Sequence, residues 1–135
     1  MARRARLKIT KGNIEMKIAI TAQDKELSSE IDPRFGRAKW FVIIDPETGH
    51  FDAHDNEVNL NAAQGAGIQT AQNIANLDVE AVITGNVGPN AFKTLNAAGI
   101  KIFLANNQTV SQAIESYKAG QLKEVDQANV QGHWV

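Results

Sequence analysis

The stretch VEAVITGNVGPN, residues 79–90, gives the clearest indication of the fold class in this sequence. Residues 79–83 form a short apolar run typical of a buried strand, and the glycine-containing segment 84–88 leads from it to Pro89. Proline favours the first turn of a helix, because the backbone N–H groups there have no partner within the helix. The stretch therefore predicts a strand, a tight turn and a helix, which is the repeating unit of an α/β fold.

Downstream of this stretch the same unit is repeated. Gly99 stands where a glycine commonly ends a helix, and residues 100–104 form the next apolar strand. Thr109 and Gln112 have the spacing of a capping box, which predicts the start of a third helix. The C-terminal half of the chain is thus predicted to alternate strands and helices.

Upstream of the stretch, three strands precede the first helix. Residues 16–21, 39–45 and 49–56 have the alternating or β-branched character of strands, and residues 61–77 have apolar residues at helical spacing. The predicted order is β-β-β-α-β-α-β-α. This order predicts a mixed five-stranded sheet in which the first strand runs parallel to the fourth and fifth, with helices on both faces.

Composition limits the class of protein. The chain has 135 residues, of which 43% are hydrophobic and 21% are charged, and it contains no cysteine. These values predict one globular domain without disulfides, thiolate catalysis or thiolate metal ligands. The N-terminal residues show no secretory signal and no apolar run is long enough to span a membrane, so we expect a cytoplasmic protein.

Charge is distributed unevenly and suggests the domain boundaries. Residues 1–15 hold five basic residues and one acidic residue, whereas the remaining residues have a formal net charge of −5. A net-acidic body argues against broad nucleic-acid binding. We predict a disordered basic extension over residues 1–15, a domain over residues 16–120 and a polar tail over residues 121–135.

Two surface loops contain the candidate binding residues. The arginine loop, DPRFGRA at residues 32–38, lies between two predicted strands, and the glycine loop, TGNVGPN at residues 84–90, joins a strand to a helix. Arginine presents a planar fork of charged donors that suits oxyanions and other polyanions. Ligands of open α/β sheets bind beyond the carboxyl ends of the parallel strands, so both loops face one crevice if their strands are neighbours.

The candidate ligand-binding residues come from these two loops and from a second glycine-rich helix entrance. They are Arg34, Phe35, Gly36, Arg37, Gly65, Gly67, Gly85, Asn86, Gly88 and Asn90. Backbone N–H groups at a helix N-terminus attract anions, and glycine lets a ligand approach the backbone closely. Lys39 is a candidate for an additional cation.

Each of these features also has a purely structural interpretation. Arg34 and Arg37 would then only tie the loop to acidic neighbours such as Asp32. Phe35 would pack into the core, and the glycines at 85–88 would only allow a tight turn. The residues alone leave these alternatives open.

Catalytic side chains are scarce in this sequence. No serine or threonine has a recognisable histidine–acid relay, so we predict no enzyme. His50 and His54 would be about 13 Å apart in an extended strand, too far to share one metal ion. His54 alone is kept as a candidate metal ligand. A metal-dependent nuclease would need several converging carboxylates, which the first strand does not supply.

Residues 16–117 resemble the dinitrogenase iron–molybdenum cofactor biosynthesis domain. Beyond the first strand, the matching segments are residues 32–38, 65–69, 82–92 and 97–101. The resemblance implies a ribonuclease-H-like fold. It also implies a non-enzymatic protein that carries or helps to assemble a molybdenum-containing metal–sulfur cluster, of the Mo–Cu or Fe–Mo type.

The resemblance further implies roles for individual residues. Small members of the family hold a molybdenum–copper sulfide cluster without cysteine ligands. By this likeness Arg34 and Arg37 would neutralise the charge of such a cluster, the backbone of residues 85–90 would donate hydrogen bonds to sulfide, and Phe35 would exclude water. The alternative function is an interaction module without bound metal that works with a MinD-type ATPase.

Overall fold

The structure, a computed structural model, describes residues 8–10, 13–56 and 65–129, with only the backbone described before residue 16. In chain order the elements are β1 (Lys8–Thr10), β2 (Asn13–Glu15), β3 (Ile18–Ala22), β4 (Trp40–Ile44), β5 (Phe51–Asp55), α1 (Ala66–Ala75), β6 (Ala81–Thr84), α2 (Pro89–Ala97), β7 (Lys101–Leu104), α3 (Val110–Lys118) and β8 (Lys123–Val125). None of the described helices is long and apolar enough to cross a membrane.

The main sheet is mixed and has the order β5-β4-β3-β6-β7-β8. β3 pairs parallel with β6, and β6 pairs parallel with β7, whereas β4 and β5 continue the sheet as an antiparallel meander. The predicted parallel arrangement of β3, β6 and β7 is confirmed. Their carboxyl ends consequently lie at one edge of the sheet, from which the arginine loop and the glycine loop both leave.

The predicted number of five strands in this sheet is wrong, because β8 adds a sixth. β8 pairs antiparallel with β7, and Ile102 lies opposite Val125. The predicted tail of residues 121–135 thus contributes a short edge strand. The sequence did not show it, because the strand has three residues and buries Val125 only partly, so no apolar pattern marks it.

Helices cover both faces of the sheet, as predicted. On one face, Ala71 and Ile74 of α1 and Leu95 of α2 pack with Phe41 and Val82 of the sheet. On the other face, α3 packs on the sheet through Val110, Ala113 and Ile114. Strand residues alternate between these two clusters, because successive side chains of a strand point to opposite faces.

The helix boundaries follow local chemistry. The predicted capping box is present, with the Gln112 N–H donating to Thr109 Oγ1 at 3.2 Å and the Thr109 N–H donating to Gln112 Oε1 at 2.9 Å. The predicted helix over 61–77 is shorter: α1 begins at Ala66, because Gly65 precedes it with a left-handed φ of 80°. Residues 57–64 lie outside the described residues.

Two short strands of the N-terminal extension pair with each other. β1 and β2 form a separate two-stranded antiparallel sheet, in which Ile9 lies opposite Ile14. β-branched residues favour such extended backbone. The disorder predicted for residues 1–15 as a whole stays a prediction. The domain boundaries and the ribonuclease-H-like assignment stay predictions.

Candidate functional site

The arginine loop and the glycine loop touch each other at the carboxyl edge of the sheet. Arg34 and Asn86 form an isolated parallel bridge. The Phe35 N–H donates to the carbonyl of Asn86 at 3.2 Å, and the side-chain amide of Asn86 donates to the carbonyl of Pro33 at 2.9 Å. The two predicted loops are therefore adjacent, and Asn86 connects them through both its backbone and its side chain.

Gly85 allows this close approach. A Cβ atom placed on Gly85 would lie 2.7 Å from Cα of Pro33 and 2.7 Å from Oδ1 of Asn106. Contacts this short do not occur for real Cβ atoms, so any side chain here would force the loops apart. Asn106 follows β7, so the loop after the third parallel strand also reaches this position.

The start of the arginine loop is anchored by buried hydroxyl groups. Thr21, near the end of β3, donates its hydroxyl to the carbonyl of Asp32 at 2.7 Å, and its Oγ1 lies 3.0 Å from Oγ1 of Thr84. Both threonines are fully buried at the carboxyl ends of neighbouring strands. A buried polar group that is hydrogen-bonded avoids a desolvation penalty, so this contact stabilises the start of the loop.

A third glycine-rich segment meets the arginine loop from the side of α1. A Cβ atom on Gly36 would lie 2.8 Å from both Cα and N of Gly67, so the two backbones are in direct contact. A Cβ atom on Gly67 would lie 3.4 Å from Cβ of Ala91, which is in the first turn of α2. The N-terminal ends of α1 and α2 therefore both pack close to the arginine loop.

Two buried polar residues hold the carbonyl groups of the arginine loop. The side-chain amide of Asn56 donates to the carbonyls of Gly36 and Ala38, at 3.3 and 2.9 Å, and the Thr70 hydroxyl lies 3.1 Å from the same Gly36 oxygen. Sequence reasoning missed both residues. A single polar residue at a strand end or on a helix gives no periodic signal, although polar residues at otherwise core-facing positions are a hint.

The two arginines of the loop lie at the surface in different settings. The Arg34 side chain is 43% exposed, and its Nε lies 3.8 Å from Oδ1 of Asp32, while its backbone N–H donates to the same carboxylate at 3.0 Å. The structural alternative, in which Arg34 is tied to Asp32, is thus partly realised. Arg37 is half-buried immediately after Gly36, and Lys39 is exposed.

Phe35 is not at the surface, which corrects its predicted role as a water-excluding side chain of the site. The residue has no exposed area, and its ring packs edge-on against Phe41 at 5.5 Å between centroids. The apolar ring is removed from water here, which favours the core over the loop surface. The core alternative holds, and Phe35 serves the site only by anchoring its loop.

The helix ends supply backbone donors near the arginine loop. Gly88 is the N-cap of α2 with an extended backbone, Pro89 follows it, and the first turn holds no acidic residue. Gly65 is the N-cap of α1, whose first turn also lacks acidic residues. The N–H groups of a first helical turn point away from the helix, and the helix dipole favours negative charge there.

His54 belongs to neither loop, although Asn56 and Thr70, which hold the arginine loop, border the cavity next to it. It is exposed on β5, opposite Phe41, beside a cavity of about 230 Å³ that Asp55, Asn73 and Leu77 also line. Within residues 16–56 and 65–129, no three His, Cys, Asp or Glu side chains group closely enough to bind a metal ion. A metal-binding role of His54 stays a prediction that this geometry does not strengthen. His50 is exposed and precedes the strand.

A model of the dinitrogenase iron–molybdenum cofactor family matches residues 16–120. The chain belongs to this family. The arginine loop and the glycine loop both lie within the matched range.

Relatives with solved structures support the same membership. The chain is 38% identical to the orange protein of Desulfovibrio gigas, solved in its apo form, with a TM-score of 0.83 over 86% of this chain and 98% of that one. It is 37% identical to a putative NifB protein of Thermotoga, with a TM-score of 0.75 over 87% and 99%. An uncharacterized protein of Methanocaldococcus jannaschii is 32% identical over 82% of this chain and 92% of that one.

Asn129, which lies outside the range that the family model matches, contacts the glycine loop. Asn129 follows β8, and its side-chain oxygen accepts a hydrogen bond from the Val87 N–H at 2.7 Å. Asn129 falls in the predicted polar tail of residues 121–135. Nothing in its local sequence distinguishes it from the other polar residues there, so only the folded chain reveals the contact.

Proposed function

We propose that this chain binds an anionic metal–sulfur cluster that contains molybdenum, of the Mo–Cu or Fe–Mo type, and carries it or helps to assemble it without catalysing a reaction. The observation that supports this most directly is the parallel bridge between Arg34 and Asn86. It brings a loop with two arginines beside the loop that begins α2. Family membership and the likeness to orange protein agree with a role in carrying or assembling a cluster.

Positive charge is the first contribution to binding. A guanidinium has five N–H donors, and at 3.8 Å the contact of Arg34 with Asp32 is too long for a good hydrogen bond. The half-exposed guanidinium of Arg34 therefore keeps N–H groups that can donate hydrogen bonds to a polyanion. Arg37 and the exposed Lys39 add positive charge to the same loop region. Charge-assisted hydrogen bonds of this kind are about twice as strong as neutral ones.

Backbone donors are the second contribution. The first turn of α2 offers the N–H groups of Asn90 and Ala91, since Pro89 has none and Gly88 has no side chain to cap them. Gly88 adds no side chain beside these donors, whereas Gly85 contributes by letting the glycine loop pack against Pro33. At the entrance of α1, Gly65 has open space where a side chain would begin, which lets an anion come close to the backbone, whereas Gly67 packs against Gly36 and Ala91.

The sequence contains no cysteine, so the protein has no thiolate to ligate a metal. A thiomolybdate-type cluster is a polyanion whose sulfides can accept hydrogen bonds from guanidinium and backbone N–H groups. Binding by charge and hydrogen bonds therefore fits the side chains that this chain does have. The His54 imidazole is not needed for this mode of binding.

The remaining predictions have less support. The interaction module that works with a MinD-type ATPase is not favoured by any contact within residues 16–56 and 65–129, and it stays an alternative. The cytoplasmic location and the ribonuclease-H-like assignment also stay predictions. The carrier is preferred because the convergence of basic side chains and helix N-termini gives a reason for an anionic ligand.

The proposal is tested by anaerobic loading. The purified protein is incubated with tetrathiomolybdate and copper(I), with tetrathiomolybdate alone, or with molybdate, and is then separated from free ligand by gel filtration. We expect molybdenum and visible absorption to elute with the protein after thiomolybdate treatment, and retention to fall as ionic strength rises, because salt screens charge pairing. Folded protein that retains no molybdenum in any of these incubations would contradict the carrier and favour the interaction module.

A further inference from the structure

Asn129 makes three hydrogen bonds to the glycine loop. Its Oδ1 accepts from the Val87 N–H at 2.7 Å, its backbone N–H donates to the Val87 carbonyl at 3.1 Å, and its Nδ2 donates to Oδ1 of Asn86 at 2.9 Å. Val87 itself is fully buried in the core. An exposed residue of the C-terminal segment is thus hydrogen-bonded to a residue of the glycine loop that is packed into the core.

These contacts form a directed chain of amides with a backbone group at each end. At one end the Val87 N–H can only donate, so it fixes Oδ1 of Asn129 toward Val87. At the other end the Pro33 carbonyl can only accept, so it fixes Nδ2 of Asn86 toward Pro33, at 2.9 Å. The middle link, from Asn129 Nδ2 to Asn86 Oδ1, satisfies both orientations at once.

Without Asn129, the Asn86 side chain would lose one of the two partners that fix its orientation and would keep only the Pro33 carbonyl. Rotating the Asn86 amide by half a turn would place its oxygen against the oxygen of Pro33, which breaks the side-chain link between the glycine loop and the arginine loop. The hydrogen bond from the Phe35 N–H to the Asn86 carbonyl, at 3.2 Å, also joins the two loops. Asn129 therefore acts on the register of the loops through Asn86.

We propose that Asn129 is a positioning residue of the candidate cluster site, and that the segment after β8 completes a site whose other parts lie within residues 16–120. This inference rests on the proposed function, since it assigns Asn129 a role in holding the arginine loop and the glycine loop in the geometry that binds the anion. Asn129 contacts the loops and not the ligand. Its removal is expected to weaken binding while leaving the global fold intact.

Removal of the Asn129 side chain would have the opposite effect on ligand affinity if that side chain merely covered a backbone donor. The Val87 N–H lies in the glycine loop, and a ligand that needed this donor would have to displace Asn129. Removing the side chain would then strengthen binding. The two interpretations predict opposite changes in affinity, so one variant separates them.

The experiment uses the full chain with Asn129→Ala, Asn129→Asp and the control Gln127→Ala, an exposed residue of the same segment. Amide hydrogen exchange is first measured by NMR without ligand. Asn129→Ala should raise exchange at Val87 and at Phe35 by about fivefold, the effect of losing one ordinary hydrogen bond. Asn129→Asp keeps the acceptor for Val87 but loses the donor to Asn86, so Val87 should stay protected while exchange at Phe35 rises.

Tetrathiomolybdate retention is then compared for the wild type, Asn129→Ala and Gln127→Ala. We expect Asn129→Ala to bind about tenfold more weakly, because the loops no longer stay in register, and Gln127→Ala to bind as the wild type does. Unchanged exchange at Phe35, or equal or tighter binding by Asn129→Ala, would overturn the inference. A wild type that binds nothing would overturn the proposed function instead, and the exchange rates would still decide whether Asn129 holds the two loops in register.

Discussion

The backbones of Arg34 and Asn86 pair in a parallel bridge at the carboxyl edge of the sheet, although they belong to loops that follow different strands. The bridge places a guanidinium-bearing loop directly beside the segment that begins α2. Several contacts support this arrangement, and each can be tested separately.

The contact between Gly36 and Gly67 predicts an asymmetric response to alanine. Gly36→Ala would press a methyl group into the Gly67 backbone at 2.8 Å, whereas the methyl of Gly67→Ala would meet Cβ of Ala91 at an ordinary 3.4 Å. We expect Gly36→Ala to lower the free energy of unfolding by about 1–3 kcal/mol, as overpacking does. Gly67→Ala should leave the free energy of unfolding unchanged or raise it by up to about 1 kcal/mol, because glycine destabilises helices. Urea unfolding measures both, and equal losses would contradict this packing.

Substitutions of Phe35 distinguish a role in the core from a role in ligand binding. Because its ring is fully buried against Phe41, Phe35→Ala should lower the free energy of unfolding by about 3–5 kcal/mol. The milder Phe35→Leu keeps the position apolar and should remain folded, with thiomolybdate retention close to that of the wild type. If Phe35→Leu remained stable but lost its ligand, the ring would have a direct role in binding that this placement does not provide.

Asn56 and Thr70 are expected to act as one unit on the Gly36 carbonyl. Thr70→Val removes the hydroxyl with little change in volume, and Asn56→Ala removes the amide that donates to the Gly36 and Ala38 carbonyls. Each should lower the free energy of unfolding by about 1–3 kcal/mol, since buried carbonyl groups lose a donor. A double-mutant cycle by urea unfolding should give a loss smaller than the sum of the single losses, because the residues share an acceptor. Strict additivity would show that they act independently.

Much of the fold follows from local sequence signals, and the exceptions have physical causes. Pro89 and the Thr109–Gln112 capping box act within one turn of chain, so sequence alone predicts the starts of α2 and α3. β8 was missed because it is held by pairing with β7 and not by an apolar pattern of its own. The start of α1 was misplaced because the left-handed backbone of Gly65 interrupts a run that is otherwise periodic.

The site was only partly predictable for a related reason. The arginine loop and the glycine loop could be named because charged and glycine residues cluster in short segments of sequence. Asn56, Thr70 and Asn129 each act through a hydrogen bond to a distant segment, and such a bond gives no periodic signal in the sequence around the residue. Phe35 was misjudged because a charged neighbourhood in sequence does not show that its ring points inward.

The central claim is that positive charge at the carboxyl edge of the sheet binds an anionic cluster. The most direct measurement compares the thiomolybdate affinity of the wild type with that of the double variant Arg34→Ala/Arg37→Ala. The control is Lys101→Ala/Lys118→Ala, which changes the charge by the same amount and removes two lysines that form long surface ion pairs. We expect the arginine variant to bind at least about tenfold more weakly, since each charge-assisted hydrogen bond contributes about 1.5–3 kcal/mol, and the lysine variant to bind nearly as the wild type does. Equal affinities of the two variants would contradict the claim.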